Sequence, residues 1–369
     1  MVKSIRGVSA VALALVAATS IGGCKPDFGT RASQVTALTV LAIRSTPAEV
    51  TPGNPVHYDA LVAQPGGSVG NAQIDWAYCT QPKSVSEVND VSLSCFARSA
   101  AWIDELSVGP SANGTVPTDA CRNFGSDVPA SMPGQPPGRP ADPDTTGGYF
   151  QPVRALLASS DPVGILALGQ TRIRCSLVGA TPQVSTDFNK GYRPNENPSF
   201  SPDQVTLAAT GAAVTDESAM GDPTPVAAGS AVTFAVGWPA CPITAVCGDG
   251  ICSPGEDTTS CIADCSKPKG CGGSETYAYF DPVGLALVTR HEALRVAWYA
   301  DAGSFVDDAT GHREDEYAAA LAASPPTAGP TTTSNTWTAP TSAGVVHLWA
   351  VLSDSRGGVS WKSFVVKVQ

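Results

Sequence analysis

Charge is scarce in this chain. Asp, Glu, Lys and Arg make up 15% of its 369 residues, against roughly a quarter in an average soluble domain. Basic residues are the scarcer kind, 22 against 33 acidic, giving a net charge of −11. Nucleic acid needs a basic face, so nucleic-acid binding is excluded. Beyond the N-terminus no stretch approaches 18 consecutive apolar residues, and no transmembrane helix is expected. Phosphate-cradling G-x-x-x-x-G-K-[ST] and helix-opening G-x-G-x-x-G motifs are missing. Histidine is limited to His57, His291, His312 and His347. His57 and His347 fall in strand patterns and read as sheet-surface residues. His291-Glu292-Ala293-Leu294-Arg295 misses the second ligand of a zinc protease, since Arg295 stands in its place. Gly66-Gly67-Ser68-Val69-Gly70 spells a hydrolase elbow, but it joins two strand patterns, where the elbow needs a strand and a helix. It reads as a hairpin loop. Asp301, Asp307, Asp308, Glu314, Asp315 and Glu316 form an acidic stretch that reads as a solvated loop. No catalytic residues are expected.

What the chain has in abundance is glycine (36), proline (31) and cysteine (11). The first two imply many turns and few long helices; the third implies an oxidising compartment. The N-terminus agrees. Lys3 and Arg6 precede an apolar segment, Val8 to Thr19, that is too short to span a bilayer, which takes about 20 residues. It ends at Ile21-Gly22-Gly23-Cys24. This run resembles the bacterial lipobox. The resemblance implies that residues 1–23 are a signal peptide and that Cys24 becomes the lipidated first residue of the mature chain. Residues 24–35 would then be a tether. Several acyl chains, at about 0.8 kcal/mol per buried CH₂, anchor stably where one does not. Lys25 follows the lipidation site, and by resemblance to the enteric sorting rule it implies the outer membrane or cell surface.

Ten cysteines remain, an even number, and disulfides are expected. Cys79, Cys95, Cys121 and Cys175 are widely spaced. Cys241, Cys247, Cys252, Cys261, Cys265 and Cys271 crowd into a segment too short to fold without staples. Six cysteines allow 15 pairings, all left open by the sequence. Zinc, with its C-x₂₋₄-C knuckles, is the competing use; the gaps here are four, eight and three residues, and the implied export favours disulfides. Asp249, Glu256, Asp257 and Asp264 are candidate calcium ligands, since hard carboxylate oxygens fall in one tight loop. The run Cys247-Gly-Asp-Gly-Ile-Cys252 through Gly255-Glu256 to Cys261-Ile-Ala-Asp-Cys265 resembles the CGDGxC…GE…CxxDC repeat of exported myxobacterial proteins. It is distantly similar to the calcium-binding Lin-12/Notch repeat. The first resemblance implies a surface module and assigns no reaction.

A pattern occurs twice. Val50 to Ala60 aligns with Val226 to Val236; each has a glycine turn and then alternating apolar residues, Val56, Tyr58, Ala60, Val62 and Val232, Phe234, Val236, Trp238. Each leads on to a strand bearing a tryptophan, Trp76 or Trp298. Such alternation buries one face and wets the other, as a sandwich of antiparallel sheets requires. The placed tryptophan resembles that of bacterial Ig-like domains. The ending, Thr336-Trp337-Thr338-Ala339-Pro340 and then Leu348 to Gly358, resembles that of Ig-like and PKD-like surface domains. The expected fold class is therefore all-β, with two Ig-like antiparallel β-sandwich domains, 36–196 and 197–369. A Pro/Gly-rich loop, 108–149, belongs to the first and the disulfide-rich insert, 241–271, to the second. Tyr192 to Pro198 is the expected junction, and Glu314 to Ala323 a short helix.

The expected role is structural, adhesive or scaffolding in the cell envelope. The membrane is one partner, through the lipid; an envelope protein or a glycan is the other. The alternative is a carbohydrate-binding or accessory module of a surface hydrolase system. No cofactor is required, with calcium the one candidate ion.

Overall fold

Alternating apolar residues build the strands where the pattern falls. Val56, Tyr58 and Val62 are buried along one strand, Phe234 and Val236 along its counterpart. The computed structural model describes residues 31–369 apart from 83–90, 97–100, 128–147, 159–163, 220, 254 and 267–268. The expected signal peptide, Cys24, most of the tether and the core of the Pro/Gly-rich loop lie outside the described residues.

The first sandwich uses β1 (Thr39–Thr46), β2 (Glu49–Val50), β3 (Pro55–Gln64), β4 (Gly67–Ser68), β5 (Ile74–Cys79), β6 (Ile103–Gly109), β7 (Ser111–Thr115), β8 (Tyr149–Leu157) and β9 (Ile165–Ile173). One sheet has β1 on one side of β3 and β4 and β7 on the other; the second runs β2-β9-β8-β5-β6. The second sandwich uses β10 (Thr206–Leu207), β11 (Thr224–Val226), β12 (Ala231–Gly237), β15 (Leu294–Ala300), β16 (Ser304–Phe305), β17 (Ala309–His312), β18 (Thr332–Thr338), β19 (Gly344–Asp354) and β20 (Val359–Val368). Its sheets run β10-β12-β18-β16 and β11-β20-β19-β15-β17. Between β12 and β15 lie the cysteine-rich segment and a separate hairpin, β13 (Thr276–Asp281) with β14 (Ala286–His291).

The two halves repeat one strand order. The five-stranded sheets correspond position for position, and Trp76 on β5 matches Trp298 on β15; both are fully buried. Among the described residues two strand pairings depart from antiparallel order. The short β2 runs parallel to β9, and β11 parallel to β20, so that the second strand of each sandwich lies beside its last. The expected helix forms as α4 (Glu314–Ala322), preceded by α1 (Ala120–Asn123), α2 (Pro182–Lys190) and α3 (Ile262–Cys265). The Glu316 carboxylate of α4 accepts the Arg313 N–H at 3.0 Å, which caps the first turn. No helix among the described residues is long and apolar enough to cross a membrane.

Two expectations need correction. The loop drawn over 108–149 is too long. Residues Ser111–Thr115 are β7, registered against β3 from Pro55↔Thr115 to Asp59↔Ser111, and α1 follows. Alternation there is hidden by small polar residues, which an edge strand tolerates. The wet face is the second correction. On β3, Val62 faces the first core while Leu61 and Ala63 face away; on β19, Leu348, Ala350 and Leu352 face the second core while Trp349 and Val351 face away. Those outward residues meet one another, with Val35, and form a third apolar cluster between the sandwiches. Trp349 is fully buried there.

Candidate functional site

The six crowded cysteines pair among themselves. Cys241–Cys271 closes the base of the module, with Cα atoms 5.5 Å apart, while Cys247–Cys261 and Cys252–Cys265 cross-link its interior. In the first sandwich Cys79 pairs with Cys95 and Cys121 with Cys175. Metal ligation needs free thiolates, and the ten cysteines are committed to one another.

The four proposed calcium carboxylates do not all converge. Among the described residues the ligand-type cluster is Cys247, Glu256, Cys261 and Asp264, so only two of the four carboxylates meet, and they meet a disulfide. Each of the four serves the backbone. Asp264 accepts the N–H groups of Gly248 (2.6 Å) and Gly250 (3.2 Å), and Glu256 that of Ser253 (2.8 Å). Asp249 accepts from Ile251, and Asp257 from Thr259 and Ser260, closing turns. Those N–H donors hold Asp257 below the usual carboxylate range. A short segment without sheets leaves many amides unpaired, and side-chain carboxylates satisfy them. The acidic stretch likewise disperses: Asp301 accepts from Gly66 and His347, Glu314 pairs with Arg290, and Asp315 with Arg313.

The module is clamped to the junction. Arg193 donates from Nε to the Cys252 carbonyl at 2.7 Å and from Nη2 to those of Ser253 (3.0 Å) and Glu256 (2.5 Å). Burial pushes its pKa down, an effect partly countered by Glu256 and Asp257. The junction itself, irregular as expected, lies over a buried ionic network. Glu49, the first residue of β2, accepts from Arg172 Nε on β9 (3.1 Å), Arg356 Nη2 (3.3 Å), the Asn195 N–H (2.9 Å) and the Tyr192 hydroxyl. Arg356 also reaches Glu292 at 3.2 Å and the Arg193 carbonyl at 2.7 Å. Asp354 accepts the N–H groups of Arg356 and Gly358 and the Asn195 amide. The side chains of Glu49, Arg172, Glu292 and Arg356 are all about 99% buried. Burial raises the pKa of Glu275 to about 7, against the opposing pull of the Gly272 N–H and Arg356. It raises Glu292 well above its ordinary value, aided by the charges of Asp354 and Glu275.

A second polar contact crosses the apolar seam. Trp349 Nε1 donates to Ser68 Oγ at 2.8 Å; Ser68 in turn binds Glu217, whose carboxylate also holds His347 Nδ1 at 2.8 Å. The three residue types are those of a hydrolytic triad, but their order is wrong. Glu217 stands between Ser68 and His347, so the imidazole has no contact with the hydroxyl it would have to deprotonate. Ser68 lies in a hairpin, as the sequence implies. His347, expected on a free sheet surface, is half-buried at the seam, because Glu217 comes from a loop that covers β19.

No family model matches the chain, and no curated protein matches it. Solved structures that resemble it include red sea bream transglutaminase (10% identity over 91% of this chain and 32% of that one, TM-score 0.22). Others are the alpha-2-macroglobulin of Escherichia coli (10%, 90% and 17%, TM-score 0.21) and PorU of Porphyromonas gingivalis (11%, 91% and 34%, TM-score 0.19). The chain spans about a third or less of each. The fold class is that of Ig-like β-sandwiches with a disulfide-rich region.

Sequence reasoning missed Glu49, Arg172, Arg193 and Arg356. The signal was present, because charge is rare here. Arg172 is the one charged residue of the strand Ile165–Ile173, and Glu49 sits between Ala48 and Val50 in β2. A lone charge in an apolar setting is expected to have a buried partner.

Proposed function

We propose that this chain is a lipid-anchored cell-envelope protein that acts by binding, not catalysis: a scaffold or adhesin carrying a stapled cysteine module. One observation carries the reading. Interfaces between domains of one chain are usually small and polar, and relative motion is the default. Here an apolar seam and a buried ionic network join the sandwiches, and Arg193 fixes the module to the same joint. A fixed geometry suits presenting a surface to a partner. The anchor rests on Ile21-Gly22-Gly23-Cys24, and the outer membrane on Lys25. The order Ser68–Glu217–His347 supports the absence of hydrolysis.

Cell fractionation with fatty-acid labelling tests the anchor. The wild-type chain should carry label and sediment with membranes. Cys24→Ala should remain unprocessed and unlabelled, and a labelled variant would defeat the lipobox reading. A second reading, glycan recognition, is favoured by the exposed Phe96 and Trp102 near the end of β5. Retention on a glycan column that disappears in Trp102→Ala would favour it.

A further inference from the structure

We propose that the cleft between the cysteine module and the second sandwich is a binding site for a small, uncharged, largely apolar molecule bearing a hydroxyl group, received by His291. The space the cleft encloses is about 90 Å³, which calls for a small occupant and not a drug-sized one. Pro242, Ile243, Ile251, Leu321 and the Cys241–Cys271 disulfide give it apolar walls. Those walls come from the module on one side and from α4 on the other, so the insert completes the cleft.

His291, the last residue of β14, lines this cleft. Both of its ring nitrogens are buried and neither has a hydrogen-bond partner in the protein. Its ring lies nearly parallel to that of Tyr317, at 6.3 Å and 16°, so its orientation is set. Leaving such groups unsatisfied costs about 1–3 kcal/mol each. Ser253, also lining the cleft, has a buried hydroxyl without a partner. Two orphaned polar side chains facing one apolar cleft are the usual pattern of a site whose ligand supplies the missing bonds.

The chemistry of the ligand follows from the lining. Burial pushes the His291 pKa down, which keeps the imidazole neutral at physiological pH. A neutral imidazole offers one donor and one acceptor, and a hydroxyl matches either. Charge of either sign is disfavoured. Arg193 and Lys269 are cationic and Glu275 is acidic, and all line the cleft, so a ligand charge of either sign meets a like charge as well as an opposite one and must also be desolvated against apolar walls. Arg193 is also fully engaged with three module carbonyls and has little left to offer an anion.

The probe is 4-methylphenol, and the protein is the purified full chain labelled with carbon-13 at histidine. The His291 signal is assigned by its loss in His291→Phe, which keeps a ring against Tyr317. The His291 signal should shift saturably with probe while those of His57 and His347 stay in place. Toluene, the same body without the hydroxyl, should require at least about tenfold more for half-saturation, which is about 1.4 kcal/mol for the lost bond. His291→Phe should weaken 4-methylphenol by a similar factor. The toluene comparison is made in the wild-type chain, so it decides the matter even if the variant misfolds. No saturable shift, equal half-saturation by toluene, or 4-methylbenzoate binding as well as 4-methylphenol would each overturn the proposal.

Discussion

Arg356 and Glu49 stand 307 positions apart in the chain and meet at 3.3 Å inside the joint between the two sandwiches. Arg356 belongs to the turn between β19 and β20, Glu49 to β2, the second strand of the first sandwich. Removing one partner of a buried pair leaves the other charge unpaired, at about 3–5 kcal/mol. Arg356→Met should therefore destabilise the full chain by that order, because it strands Glu292 and half-strands Glu49. Glu49 keeps Arg172. Urea denaturation measures the effect, and a variant within about 0.5 kcal/mol of wild type would show that the network adds no stability.

Acid should stabilise this protein and mild alkali weaken it. Glu275 and Glu292 have folded pKa values raised above the ordinary 4.5, Glu275 to about 7. The folded state therefore binds protons more tightly than the unfolded one between about pH 4.5 and 7, and stability falls as pH rises through that window. His347 agrees in sign. Its hydrogen bond with Glu217 raises its pKa above 6.5, so its contribution is complete below 6.5 and lost as pH rises through the folded value. Glu217 sets the lower limit. Burial would raise it, but bonds from His347 and Ser68 outweigh that and hold it below 4.5, so its share is lost as pH falls through its folded value. The urea midpoint should be higher at pH 5.5 than at pH 8.5, and Glu275→Gln should flatten the difference. A midpoint that rises toward pH 8.5 would refute the assignment.

The insert and the core should differ sharply in what they tolerate. Cys241 and Cys271 hold the ends of the module 5.5 Å apart, so a short Gly/Ser bridge in place of residues 242–270 fits without moving β12 or β13. Loop entropy changes by only about 0.6 kcal/mol per doubling of length, so the main cost is the loss of the three carbonyls that hold Arg193. Trp298, fully buried in the second core, should cost about 3–5 kcal/mol as alanine. Melting curves of the two full-length variants should separate clearly; the reverse ranking would make the cysteine module the true core of that half.

Peptide mapping of the oxidised chain should recover five cross-links: 79–95, 121–175, 241–271, 247–261 and 252–265. The 121–175 bridge closes the longest loop, and Cys121→Ser with Cys175→Ser should cost about 4 kcal/mol on the loop-entropy relation. Any link between the module and the first sandwich would count against the independence of the insert.

Much of the architecture is written in the alternation of apolar residues. Val56, Tyr58 and Val62 on one side, and Phe234 and Val236 on the other, announce strands because period two needs only local chain geometry. Glu314 to Ala322 announces a helix for the same reason. The joint is not legible in that way. Trp349 and Val351 look like more core in the run His347 to Leu352, and nothing local says that they face a second sandwich. Arg172 meets Glu49 from 123 positions away, and periodicity is blind to contacts of that range. The carboxylates of the cysteine module mislead in the opposite direction. Asp249 and Asp257 share a tight loop with Asp264 and suggest an ion, whereas each is occupied with amides of its own turn.

The parallel pairing of β2 with β9 and of β11 with β20 has a mechanical consequence. When a chain is held at one end and pulled from the other, the second and last strands of each sandwich are drawn in opposite directions along their common axis. Parallel neighbours then slide past one another in shear, and their hydrogen bonds must give way together; antiparallel neighbours would unzip one bond at a time. Each sandwich thus has a clasp where tension enters and leaves. Under single-molecule extension the chain should resist to a sharp force peak for each half, and a smooth, low-force unravelling would show that the clasps do not bear load.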